Sequence, residues 1–204
     1  MSRTFTLTTD ELPGALGELS AGDRVLLSGT VYTARDAAHQ RLMELLDRGE
    51  ELPFPLKGAV IYYAGPTPAR QGMAVGACGP TTAGRMDAFT PRLLELGLSA
   101  MIGKGERAPA VVEAIKRSGA CYFAAVGGAG ALIAKCIQRA EVIAFDDLGC
   151  ESVKRMTVRE LPLTVAVGFT TAPFSSTASR WTSSTSLMDG YFLSIASAVC
   201  AERP

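Results

Sequence analysis

Three short apolar runs limit what this chain can fold into more than any other feature. They are Gly58 to Ala64, with Ala59-Val60-Ile61-Tyr62-Tyr63 at its centre, Ser99 to Ile102, and Cys121 to Val126. Short runs of apolar, often β-branched or aromatic residues, bounded by glycine or proline, read as strands. Helix signals lie between them. Thr90-Pro91 starts one that Gly97 stops, and Pro109 starts another that Gly119 stops, with Val111, Val112 and Ile115 inward.

The flanks continue the alternation. Arg24 to Tyr32 reads as a strand, and Thr33 as a helix N-cap with Asp36 at the acidic position of a capping box. The helix that follows is expected to reach about Arg48 and stop at Gly49. After the third run come a turn over Gly127 to Gly130, a helix over Ala131 to Ile137, and strands over Glu141 to Phe145 and Val158 to Val167. Strands alternating with helices predict an α/β domain.

Composition narrows the function classes. At 204 residues the chain suffices for one domain with a substantial core, and its formal net charge is zero. No general electrostatic case exists for nucleic acid or an anionic membrane. No apolar run approaches the roughly 18 residues that span a bilayer. Met1 to Phe5 has no apolar signal core, so a cytoplasmic location is expected. The five cysteines, at 78, 121, 136, 150 and 200, are scattered, and there is one histidine, so no metal site of usual spacing is expected. Cys78 stands out because it adjoins the segment described next.

That segment is Gly79-Pro80-Thr81-Thr82-Ala83-Gly84-Arg85-Met86-Asp87. Its glycines allow close approach to a ligand, Thr81 and Thr82 can cap a helix start, and such a terminus attracts anions. Arg85 adds a forked, permanent charge suited to a carboxylate. Taken alone, the segment reads equally as a capped helix with a surface arginine. On the helix after Thr33, Arg35, His39, Leu42 and Leu46 share one stripe. A cation in the first turn opposes the helix dipole, which favours a ligand-binding role for Arg35 over a stabilising one. An ordinary buried histidine and a snorkelling arginine are the alternatives.

Arg35-Asp36-Ala37-Ala38-His39, Gly79 to Asp87, and Gly103-Lys104-Gly105-Glu106-Arg107, in this order and spacing, resemble the C-terminal (beta) part of the iron–sulfur hydro-lyases. That family comprises class I fumarases and L-tartrate dehydratases, and the chain resembles their separately encoded beta subunit. The resemblance covers roughly residues 5 to 165 and includes Leu27-Ser28-Gly29, Val126-Gly127-Gly128 and Asp147-Leu148-Gly149.

It implies the swivelling β/β/α domain of the class I fumarase C-terminal type. It also implies reversible addition or removal of water on a C4 dicarboxylate, fumarate/malate or tartrate/oxaloacetate. Arg35, Thr81, Thr82, Arg85 and Lys104 are then the substrate-binding residues, Thr81 and Lys104 the catalytic ones, and Asp36, His39 and Arg107 a supporting layer. Asp36 and His39 are expected to orient Arg35, and Arg107 to pair with Glu106. Glu106 departs from the asparagine common in the family's Lys-Gly-Asn-Arg motif. The resemblance further implies a 4Fe–4S cluster held by a partner alpha subunit, no metal on this chain, a hetro-oligomer, and no activity without that partner. A free-standing small-anion-binding domain is the alternative.

Gly128-Ala129-Gly130 after a strand, with Asp146 and Asp147 downstream, imitates a dinucleotide fingerprint, but Ile133 fills its third glycine position. Tight strand-to-helix packing is the better reading. The domain is expected over residues 1–168. Beyond it, a divergent tail over 169–204 holds 11 Ser or Thr among residues 170–187. That composition suggests an irregular segment before a closing run through Ile195 and Val199.

Overall fold

A computed structural model describes residues 2–168, so the tail expected over 169–204 lies outside the described residues. The seven strands are β1 (Thr4–Thr8), β2 (Arg24–Thr33), β3 (Val60–Tyr62), β4 (Ala100–Gly103), β5 (Cys121–Ala124), β6 (Ile137–Ala144) and β7 (Val153–Val167). The α-helices are α1 (Leu12–Ala15), α2 (Asp36–Asp47), α3 (Thr90–Glu95), α4 (Pro109–Ser118) and α5 (Gly130–Ile133). The α/β reading holds.

β2, β3, β4 and β5 run parallel, and β7 pairs antiparallel with β5, with β6 and with β2. Because β7 reaches both β5 and β2, the pairing β2-β3-β4-β5-β7 returns on itself. β1 extends it beside β2. β2 and β7 bend together. Gly29 takes φ +116 where the register shifts, and Glu160, at φ 47, donates its N–H to Ser28 Oγ at 2.9 Å. A Cβ on Gly29 would lie 2.3 Å from Thr9 Oγ1, so this bend requires glycine.

The central strands are buried on both faces, as parallel strands under helices are. Val60, Tyr62, Ala100, Ile102, Cys121 and Phe123 face a core shared with β2, β7 and α1. Ile61, Tyr63, Met101 and Tyr122 face α2, α3 and α4. α4 starts at Pro109 and ends on Gly119 at φ 71, so the proline start and glycine stop were legible.

Several local expectations are corrected. β1 was not anticipated. β3 is shorter than Gly58 to Ala64, and β6 and β7 begin earlier than expected. Thr33 is not the N-cap of α2. It ends β2, and its hydroxyl donates to Ser152 O at 3.3 Å and accepts from the Lys154 N–H at 3.0 Å. Cross-strand demand for the hydroxyl outweighs the capping box. The segment after Thr82 is one 3-10 turn, Ala83–Met86, without a side-chain cap. The helix after Gly130 is also a single α-turn, continued by a 3-10 turn over Ala134–Cys136.

Candidate functional site

The sequence-derived residues leave the sheet at one edge, beyond the C-terminal ends of β2, β3 and β4. Polar groups of a parallel sheet gather at such an edge. Arg35 follows β2 and is the N-cap of α2, with extended backbone at φ −115 and ψ −163. The Thr81 N–H donates to Tyr63 O at 2.7 Å, tying Gly79 to Asp87 to the end of β3. The Lys104 N–H donates to Thr81 O at 3.1 Å, and the Ala83 N–H to Lys104 O at 2.8 Å, tying the same segment to the end of β4. The amides of Thr81 and Ala83 are therefore committed to backbone partners and do not form the anion cradle expected there.

Two arginines are held by carboxylates about the start of α2. Arg85 Nε lies 2.8 Å from Asp36 Oδ1, and Arg35 Nη2 lies 3.3 Å from Glu151 Oε1. Arg85, Thr82 and Lys104 are exposed, and Arg35 and Thr81 are partly so. Gly65 lies beneath Arg35. A Cβ there would sit 3.0 Å from Arg35 Nη1 and 3.2 Å from Cys150 O. Gly127 serves Lys104 in the same way, since its Cβ would sit 3.3 Å from Lys104 Cδ.

The supporting residues depart from expectation. Asp36 pairs with Arg85, not with Arg35. His39 is buried and its Nδ1 lies 2.9 Å from Arg35 O. A carbonyl only accepts, so Nδ1 carries the proton and Nε2 is a bare acceptor. Burial pulls the imidazole pKa down to about 4, with the Arg107 charge acting in the same direction. His39 therefore braces the backbone of the first turn, packed between Tyr63 and Phe89, rather than the Arg35 guanidinium. Arg107 pairs with Asp87 (2.6 Å), and also donates to Tyr63 Oη and Thr90 Oγ1. Its side chain is fully buried, and it fastens the Gly79–Asp87 segment to the sheet. Asp87 reaches both Arg107 and the Ala108 N–H, the latter at 2.7 Å.

Three buried polar atoms have no hydrogen-bond partner among the described residues: Arg35 Nε, Asp36 Oδ2 and His39 Nε2. All belong to the first turn of α2. Unsatisfied buried groups are uncommon and cluster where a ligand or partner completes a site.

Glu151 is the residue that sequence reasoning missed. It sits in the 3-10 segment Asp146–Glu151, and its Oε2 accepts the Ala37 N–H at 3.3 Å. No spacing rule links an acid to an arginine so distant in sequence.

Among the described residues the four cysteines differ in exposure. Cys78, Cys121 and Cys136 are buried and Cys150 is exposed. Burial pushes the Cys78 thiol up to about 12 and Cys136 to about 11, which opposes the thiolate that metal binding needs. No group of three or more His, Cys, Asp or Glu able to hold a metal is found among the described residues. No helix of the described residues is long and apolar enough to cross a membrane.

Comparison with known proteins agrees with the motif order. The model of the Fumarase C-terminus family matches residues 1–176. Fumarate hydratase 2 of Leishmania major is 39% identical over 160 residues, 78% of this chain and 28% of that protein. The aerobic class I fumarate hydratase of Salmonella typhimurium is 39% identical over 159 residues, 77% of this chain and 27% of that protein. The chain thus spans less than a third of these fumarate hydratases. A Methanocaldococcus jannaschii protein, provisionally named L(+)-tartrate dehydratase subunit beta, is 37% identical over 156 residues, 74% of this chain and 80% of that protein. Three ordered motifs on one sheet edge and a family match along the whole described chain lead to one assignment: this chain belongs to the Fumarase C-terminus family, with the class I fumarate hydratases and the tartrate dehydratase beta subunits.

Proposed function

We propose that this chain is the beta subunit of an iron–sulfur hydro-lyase that adds or removes water on a C4 dicarboxylate, fumarate/malate or tartrate/oxaloacetate. The observation that carries the reading is the placement of two arginines about the start of α2: Arg35 as its N-cap, beside Glu151, and Arg85 paired to its first residue, Asp36. Two forked cations on one exposed edge suit a substrate with two carboxylates. The relative matched over four-fifths of its length bears the name of a beta subunit. The swivelling β/β/α architecture is part of this reading, supported by the return of β7 onto β2.

In this mechanism Arg35 and Arg85 bind and orient the carboxylates. Cations placed there also stabilise the charge that builds on a carboxylate when the neighbouring C–H proton leaves. Thr81 is the group that takes that proton. Its hydroxyl is a weak base at neutral pH, so the role depends on Lys104, to which its backbone is paired, and on a partner group. A cluster would supply the Lewis acid for the leaving hydroxyl. The cysteines among the described residues do not fit one, so this reading assigns the cluster to a partner alpha subunit in a hetero-oligomer.

The test is coexpression with a cluster-bearing alpha chain and anaerobic assay on fumarate, malate and tartrate. The purified chain alone is expected to be colourless and inactive, and the complex active on at least one substrate. Stoichiometric iron and sulfide on the chain alone would overturn the division of labour. A complex inactive on all three, with small-anion binding retained, would favour a free-standing binding domain.

A further inference from the structure

α2 begins without a side-chain cap of its own, and its N-cap residue is a cation at the positive end of the helix. Both features cost stability unless something offsets them. Glu151 does so from a distant part of the chain. One carboxylate oxygen accepts the Ala37 N–H and the other lies against Arg35 Nη2.

The backbone on both sides of Glu151 is fastened independently of Arg35. Lys154 Nζ donates to Gly149 O at 3.0 Å and to Ser152 Oγ at 2.6 Å. Ser152 Oγ donates to Gly149 O at 2.7 Å, and Thr33 Oγ1 holds Ser152 O. Arg41 grips Asp147 with both Nη atoms, which pins the 3-10 segment along α2. The carboxylate therefore projects from a fastened stretch of backbone, while Arg35 is a long side chain whose Nε has no partner among the described residues.

We infer that Glu151 is a positioning residue for Arg35. It sets the direction of the guanidinium over Gly65 so that a substrate carboxylate meets an ordered fork. The inference rests on the carboxylate-binding reading of Arg35. An oriented donor spends less conformational entropy on binding than a mobile one. Glu151→Gln keeps an acceptor for the Ala37 N–H and removes the charge that faces Arg35.

The experiment uses the full chain with nitrogen-15 arginine side-chain spectra and succinate, an unreactive C4 dicarboxylate, as the probe. In the parent chain the Arg35 Nη resonances are expected to be resolved by restricted rotation, and succinate is expected to shift the Arg35 Nε–Hε signal. In Glu151→Gln the Nη resonances should merge and succinate affinity should fall about ten-fold, the scale of one charge-assisted contact. Glu151→Asp should restore part of the order. Should the Gln variant fail to fold, the Asp variant decides: unchanged Arg35 signals with a shortened carboxylate would overturn the role.

Parent-like spectra and affinity in Glu151→Gln, with binding abolished by Arg35→Ala, would sink this inference and leave the carboxylate site standing. Tighter succinate binding in Glu151→Gln would make Glu151 a competitor and also overturn it. If succinate shifts neither Arg35 nor Arg85, the carboxylate site and the inference fall together.

Discussion

Arg85 Nε and Asp36 Oδ1 stand 2.8 Å apart, joining the Gly79–Asp87 segment to the first residue of α2. The pair is partly exposed, with 53% of the arginine side chain and 31% of the aspartate open. An exposed pair contributes little to stability. Its significance is directional. Asp36 engages Nε, and the proposed function assigns the remaining guanidinium edge to a substrate carboxylate.

Arg85→Lys preserves the charge but not the fork, so it is not a conservative change. Losing one charge-assisted contact costs about 1.5–3 kcal/mol. In the assembled enzyme, kcat/KM is therefore expected to fall roughly ten- to hundred-fold. Steady-state kinetics at matched cluster content would check it. Unchanged efficiency would exclude Arg85 from substrate binding.

Arg107 is expected to matter for folding. Replacing it with Ala leaves Asp87 without its cation and Tyr63 Oη and Thr90 Oγ1 without their shared donor. Breaking a buried pair from one side costs about 3–5 kcal/mol. Urea denaturation should show that loss, and a change within about 0.5 kcal/mol, typical of surface positions, would contradict the bracing role.

His39 predicts how stability varies with acid. Its folded pKa, about 4, lies below the unfolded value of 6.5. Between these values the unfolded chain binds the proton and the folded chain does not, so stability rises with pH. The contribution is fully present above pH 6.5 and is lost as pH falls towards 4. Its size is roughly 3 kcal/mol at one pKa unit per 1.36 kcal/mol. His39→Phe should flatten the melting temperature profile in that window relative to the parent. Parallel profiles would show that the imidazole is not buried neutral.

Gly65→Ala separates function from folding. The new methyl would crowd Arg35 Nη1 and Cys150 O, and the arginine tip can move aside more readily than the backbone. Weaker substrate binding, seen as a raised KM, is expected with stability changed by about 1 kcal/mol or less. Normal kinetics would remove Gly65 from the site.

The sequence by itself determined the elements whose causes are local. Proline starts and glycine stops marked α3 and α4, and apolar runs marked β3, β4 and β5, because their backbone geometry depends on adjacent residues. It also determined the family, since three ordered motifs are a linear property. Only the tertiary structure decided who holds whom. Thr33 reads as a helix cap in the sequence but in the fold bonds Ser152, just before β7, and Lys154 within it. Asp36 and Arg107 took partners other than those proximity suggested, Arg85 and Asp87. Glu151 reached Arg35, and also the Ala37 N–H from 114 positions away in sequence. Such pairings depend on which strand ends the sheet brings together, and β7 returning to β2 is a long-range contact with no local signature. Short-range physics writes the elements into the sequence, whereas charged side chains choose among all groups that packing places within their reach.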